Sequence, residues 1–229
     1  MNTWQIDTAH TNVSFTAKHM MITKVRGIFK GVTGTIDFDE ANPTASSVSV
    51  VIPAATIETG MEPRDNHLRS ADFLDAETFQ TLTFKSTSIA QKGDRWAITG
   101  DLTMHGVTRS VVLDTEHLGI VAAMDGRRHA GFEATTKIKR SDWGLTWNVG
   151  LEAGGWLVSD DVTIELEVAA DELAAVPAGR PVVGASALPS LLLAADAPTD
   201  PGRRVSVSPS WPGRAAPGRP VMAPRRARR

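Results

Sequence analysis

Between residues 3 and 170 apolar and polar side chains take turns. Val13, Phe15 and Ala17 are separated by Ser14, Thr16 and Lys18, and Val48, Val50 and Ile52 by Ser49 and the less regular Val51. Leu82 and Phe84 stand among Thr81, Thr83 and Lys85. Trp96, Ile98, Leu102 and Met104 keep one parity through Gly100, and Val162, Ile164, Leu166 and Val168 alternate with Thr163, Glu165 and Glu167. A period of two is the repeat of a strand with one dry face and one wet face. Turn signals separate the runs: "DEANPTAS" from 39, "QKGD" from 91, "HGVT" from 105 and "MDGRR" from 124. Such short connections favour antiparallel neighbours, since a parallel pair needs a crossover of roughly a dozen residues or more. Two segments predict helix: a short one around "HMMITKV" (19–25) and a second in "EPRDNHLRSADFLD" (62–75). The expected fold is all-β, with about eight antiparallel strands and one or two short helices. It closes as a barrel or stacks as a sandwich. Small residues at inward positions (Ala17, Gly31, Gly34, Gly100, Ala134) favour a barrel with internal room.

Charge divides the chain where the alternation stops. Residues 1–175 hold 15 basic and 24 acidic residues, a balance of −9; residues 176–229 hold nine Arg and two Asp, a balance of +7. Ten of the 13 prolines also fall in that second stretch. A Pro/Arg/Ala/Gly tract without apolar periodicity cannot offset an ordering entropy of roughly 1–2 kcal/mol per residue, so 176–229 is expected to be a disordered tail. Its run "ALPSLLLAA" is far shorter than the ~20 residues of a bilayer span. Its arginines are either a solvated extension or a tether to anionic polymers or membranes. There is no cysteine, which excludes disulfides and thiolate catalysis. The opening "MNTWQIDTAHTNVSF" has no positive n-region and no apolar h-region, so cytoplasm is the expected compartment.

Six strings in fixed order carry a resemblance: "WQIDTAHTNVSFTAKH", "VRGIFKGVTGTIDFD", "IETGMEPRDNHLRSADFLD", "LTFKSTSI", "ITGDLTMHGVTRSVVL" and "FEATTKIKRSDWGL". Together they resemble the YceI-like, or polyisoprenoid-binding-like, family over about residues 3–171. The resemblance implies a lipocalin-like barrel around an elongated apolar pocket. As a class it implies a long amphiphile as partner, a polyisoprenoid or a fatty-acid derivative. On this reading residues 1–175 form the lipid-binding barrel, a homodimer is possible, and the barrel itself is not expected to bind nucleic acid.

The candidate residues follow from dry-face parity and from this resemblance. Phe15, Phe29, Phe73 and Phe84 are expected to point into one cavity. His19, Met21, Leu68, Trp143 and Trp147 are expected to join them in lipid binding. The two tryptophans form either flat walls at a pocket rim or the seal of a barrel end. In "EPRDNHLRS", Arg64, Asp65 and His67 read as a structural network or head-group contact. Arg64 and Asp65 would pair with each other or cap the segment's backbone. The alternative is an enzyme with Asp65 and His67 as acid and base. Residues two apart on a helix do not face each other, and no Gly-flanked serine supplies a nucleophile. The reading is therefore non-enzymatic binding, with no cofactor. The six histidines show no H-x-H or H-x-x-x-H spacing, so no metal site is expected. His10 is expected to bond backbone at a strand crossing. His105 is expected in a hairpin turn in which Gly106 supplies the positive φ. His19 and His67 are expected near the pocket mouth.

Overall fold

The computed structural model describes residues 1–173, except 124, 125 and 153. The expected tail over 176–229 lies outside the described residues. Ten antiparallel strands follow in chain order: β1 (Asn2–Ile6), β2 (Asn12–His19), β3 (Thr23–Phe29), β4 (Thr33–Phe38), β5 (Ser47–Pro53), β6 (Thr81–Lys92), β7 (Arg95–Met104), β8 (Val107–Ala122), β9 (Arg128–Lys139) and β10 (Val158–Glu172). One α-helix, α1 (Glu62–Arg69), interrupts them between β5 and β6.

The sheet closes on itself. From β4 the order runs through β5, β6, β7, β8 and β9 to β10, and β1 pairs with both β10 and β4. These eight strands form a closed barrel, which removes the free edges an open sheet would expose. β2 and β3 extend two of the staves. β2 runs beside β10 from Val158 to Glu167, and β1 takes over that edge at Ala170–Glu172.

Two breaks make this possible, and both are closed by threonine hydroxyls. Between β1 and β2, the Asp7 amide donates to the Ala169 carbonyl at 2.9 Å and the Ala169 amide donates to Thr11 Oγ1 at 3.2 Å. Between β3 and β4, Thr8 Oγ1 donates to the Val32 carbonyl at 2.8 Å, and the Lys30 amide donates to Thr56 Oγ1 at 3.1 Å. Buried ladder groups left by a break would otherwise lack partners. At the first break His10 bonds the Asp7 carboxylate at 2.6 Å rather than backbone alone, a correction to the expected role. That contact holds Asp7 below the usual carboxylate range and raises the His10 imidazole.

The segment 19–25 is not helical. It is the turn and flanks of the β2–β3 hairpin, with Lys18 opposite Lys24 and His19 opposite Thr23. Met20 and Met21 both adopt left-handed backbone, at φ 51° and 61°. Apolar spacing around the turn mimics a helical face, but the strand pairing on either side decides the outcome. The 62–75 segment is helical only as far as Arg69. After it the chain is bound back on itself, with the Leu74 amide on the Leu68 carbonyl at 3.1 Å and the Ala76 amide on the Arg69 carbonyl at 2.9 Å. The hairpin at 105–106 is as expected, except that His105 shares the left-handed conformation with Gly106 (φ 51° and 70°).

Candidate functional site

The dry faces meet inside the barrel and do not fill it. Two apolar lobes remain, of about 200 Å³ and about 100 Å³. Ile6, Leu113, Leu166 and Val168 line both, so they form a waist between the lobes. Single strands serve both ends. On β7, Trp96 and Ile98 face the smaller lobe while Leu102 and Met104 face the larger. The alternation read from the sequence thus lines both lobes.

Phe15, Phe29, Leu68, Phe73 and Phe84 all line the larger lobe. His19 and Met21 do not: both are exposed at the β2–β3 hairpin, because that segment is a projecting turn and not a helix over the mouth. Trp143 does not line it either. It is 2% exposed, sits in a 3-10 turn (Arg140–Trp143), and donates its indole N–H to the Leu102 carbonyl at 3.0 Å. It seals the barrel wall. Trp147 lines neither lobe; its ring lies tilted against Phe73, with centroids 5.3 Å apart, and His67 lies edge-on to both, 5.1 Å from Phe73 and 4.6 Å from Trp147. Of these three rings, that of Phe73 lines the larger lobe. The inward glycines give less room than expected. A Cβ on Gly100 would overlap the Phe84 ring, and one on Gly27 would overlap that of Phe15, so these spaces already hold aromatic rings.

Arg64 and Asp65 do not pair directly. Both converge on Thr59, which the sequence reading missed. Asp65, 5% exposed, accepts from the Thr59 amide at 2.9 Å and, more closely still, from its hydroxyl. Arg64 Nε donates to Thr59 Oγ1 at 2.6 Å and its Nη2 donates to the Thr59 carbonyl at 3.0 Å. Arg69 adds bonds to the Ala55 and Ile57 carbonyls, each at 2.8 Å. The network binds α1 to the chain before it. His67 bonds Asp72 at 2.8 Å, and neither Asp65 nor His67 lines either lobe.

Two ionisable side chains among the described residues do line the cavity, and neither was singled out from sequence. Arg140, in the larger lobe, is buried; its guanidinium donates to the carbonyls of Ser159 and Leu145 and lies 5.9 Å over the Phe73 ring. Burial lowers its pKa from the usual range. His117, in the smaller lobe, stacks on Phe132 with centroids 5.0 Å apart and meets Phe38 at 5.2 Å. Its Nε2 is buried without a partner, and burial depresses the imidazole pKa. One signal was available for both. Arg140 continues the inward parity of Thr136 and Ile138, and His117 that of Leu113 and Thr115.

Comparison with known proteins places this geometry among relatives. A family model described as YceI-like domain matches residues 4–170. The chain is 42% identical over 141 residues to Protein YceI of Salmonella newport, covering 62% of this chain and 74% of that one. The crystal structure of a Campylobacter jejuni YCEI protein superposes with a TM-score of 0.59 at 35% identity, covering 69% of this chain and 90% of the other. A polyisoprenoid binding domain from Saccharophagus degradans, implicated in plant cell wall breakdown, shares the fold at a TM-score of 0.54 and 15% identity, over 76% of this chain and all of that one (100%).

Proposed function

For a chain that belongs to the YceI-like family, we propose that the barrel binds a long apolar amphiphile, a polyisoprenoid or acyl derivative, and carries or sequesters it without chemical change. The observation that carries this reading is the two-lobed cavity, whose lining is almost wholly hydrocarbon. A polyisoprenoid binding domain from Saccharophagus degradans shares this fold, which agrees with a ligand of this kind.

The energetics favour chain over head group. Each buried CH₂ contributes ~0.8 kcal/mol, so one isoprene unit contributes ~3–4 kcal/mol. Association and chain ordering cost on the order of 4–15 kcal/mol. About three to five buried isoprene units therefore suffice without a strong polar contact. Arg140 is the charged group nearest such a chain, and two of its nitrogens are already committed to backbone carbonyls. The acid and base candidates, Asp65 and His67, line neither lobe, which supports binding over catalysis.

The test has two arms. Solvent extraction of purified protein followed by mass spectrometry identifies any co-purifying lipid. Titration with alkyl and isoprenoid ligands of rising length, read by tryptophan fluorescence, should show affinity climbing and then levelling once the cavity is full. A flat response at every length below micelle formation would mean that the barrel carries no lipid.

A further inference from the structure

The β2–β3 hairpin ends in three exposed apolar residues. Met20 and Met21 are 47% and 48% exposed, and Ile22 is 84% exposed. Two of them occupy left-handed backbone, which Gly or Asn would adopt with less strain. A second loop lies against the first. The Met20 amide donates to the Leu157 carbonyl at 2.7 Å, and the Leu157 amide to the Val149 carbonyl at 2.8 Å. Val149 and Trp156 of this loop are also exposed. Among the described residues, then, one tip gathers Met, Ile, Val and Trp side chains outside any core.

Beside this tip lies a shallow concavity shared by Met21 and Trp156 with Lys18, Lys24, Arg26, Lys137 and Lys139. All five cations are exposed. Three carboxylates, Asp160, Asp161 and Glu165, line the same hollow, and Lys137 holds Asp161 at 2.7 Å. Cations therefore outnumber anions here, on a body (residues 1–175) whose balance is −9. The local charge is opposite in sign to that of the whole barrel.

We propose that this end of the barrel docks on an anionic lipid bilayer, with the hairpin tip and Trp156 entering the interface and the five basic side chains facing the head groups. Two weak signals, apolar insertion and basic charge, are what a stable peripheral attachment needs. Tryptophan settles at the head-group level, and anionic head groups attract Lys and Arg within a Debye length. A second copy of this chain would present the same positive hollow to itself, and like charges would oppose that contact. The position suits loading as well. Ala17 and Val158 line the larger lobe and stand next to this tip along the chain.

The test does not depend on any cavity ligand: a barrel that binds vesicles but no free lipid would refute the proposed function and leave this inference standing. The chain has no cysteine, so Ile22→Cys accepts a single polarity-sensitive dye; Val112→Cys, exposed on β8, serves as control. Full-length protein is mixed with vesicles of phosphatidylcholine, with and without phosphatidylglycerol. The Ile22 dye should shift to the blue only with the anionic vesicles, the Val112 dye should not, and added salt should weaken binding. Each basic residue contributes on the order of fivefold. Lys18→Glu/Lys24→Glu should therefore weaken vesicle binding at least roughly tenfold while melting as the parent does. Binding unchanged by this double substitution would overturn the proposal and assign vesicle affinity to another part of the chain. A dye shift that follows protein concentration without vesicles would overturn it in favour of a second copy.

Discussion

Thr59 shows how a single residue organises the end of the barrel. Its amide and hydroxyl both serve Asp65, while its hydroxyl and carbonyl take bonds from Arg64. Asp65→Ala should strip the partly buried Thr59 amide and hydroxyl of their acceptor, at a cost of about 1–3 kcal/mol. Thr59→Ala should cost a similar amount, and the double variant much less than the sum, since one network is lost once. Denaturant melts measure this; added lipid should leave the loss unchanged. An Asp65→Ala protein with parental stability that failed to bind lipid would instead make the residue a head-group contact. His117 gives a second test. Burial depresses its folded pKa below the ordinary ~6.5, so the unfolded chain takes up the proton first. Its contribution is present above that value and is lost as pH falls through it. His117→Phe keeps the stack on Phe132 and should flatten the decline of Tm between about pH 7 and pH 5. His10 works with the opposite sign, because Asp7 raises it and its contribution is lost as pH rises. The comparison is therefore between variant and parent, and equal slopes would remove His117 from the account.

At the scale of elements, alternation marked β2, β5, β6, β7 and β10, because each of them has a dry side. It also placed Phe15, Phe29 and Phe84, whose parity points inward, and the helical segment placed Leu68 and Phe73. The hairpin at 19–25 escaped it. Three apolar residues in a turn carry no period, and only the register of Lys18 against Lys24 reveals the reversal. Glycines inside the strands turn out to serve ring placement. A Cβ on Gly27 would collide with the Phe15 ring and lie 2.8 Å from Thr59 Cγ2, on a packed wall. Gly27→Ala should therefore push Phe15 toward the larger lobe and shorten the longest chain that binds well. Overpacking of this kind costs typically 1–3 kcal/mol. A length series on the variant, beside its melt, checks both effects; an unchanged length optimum would show that the ring yields outward.

At the scale of the barrel, two lobes adjoin at a shared waist. Ile6 comes from β1, Leu113 from β8, and Leu166 and Val168 from β10, so the constriction exists only once the barrel is closed. Leu113→Phe should narrow it. Ligands short enough for the larger lobe should keep their affinity, while longer ones should fall back to the same plateau. Equal affinity for long ligands in parent and variant would mean that the smaller lobe does not receive the chain.

The sequence by itself determined the all-β antiparallel fold, the inward aromatic residues and the absence of thiol chemistry, because parity and composition act locally and survive in any arrangement of the strands. Tertiary structure alone decided the rest. Eight strands closing on β1 set the cavity and its waist. Thr59 became a hub because helix and loop were brought together, and Arg140 and His117 became cavity residues because their parity continued into a closed interior. The exposed methionine tip met the lysines of β9 only because β2, β10 and β9 lie side by side. Pairing between strands far apart in sequence depends on the burial of the whole barrel, and no local pattern encodes it.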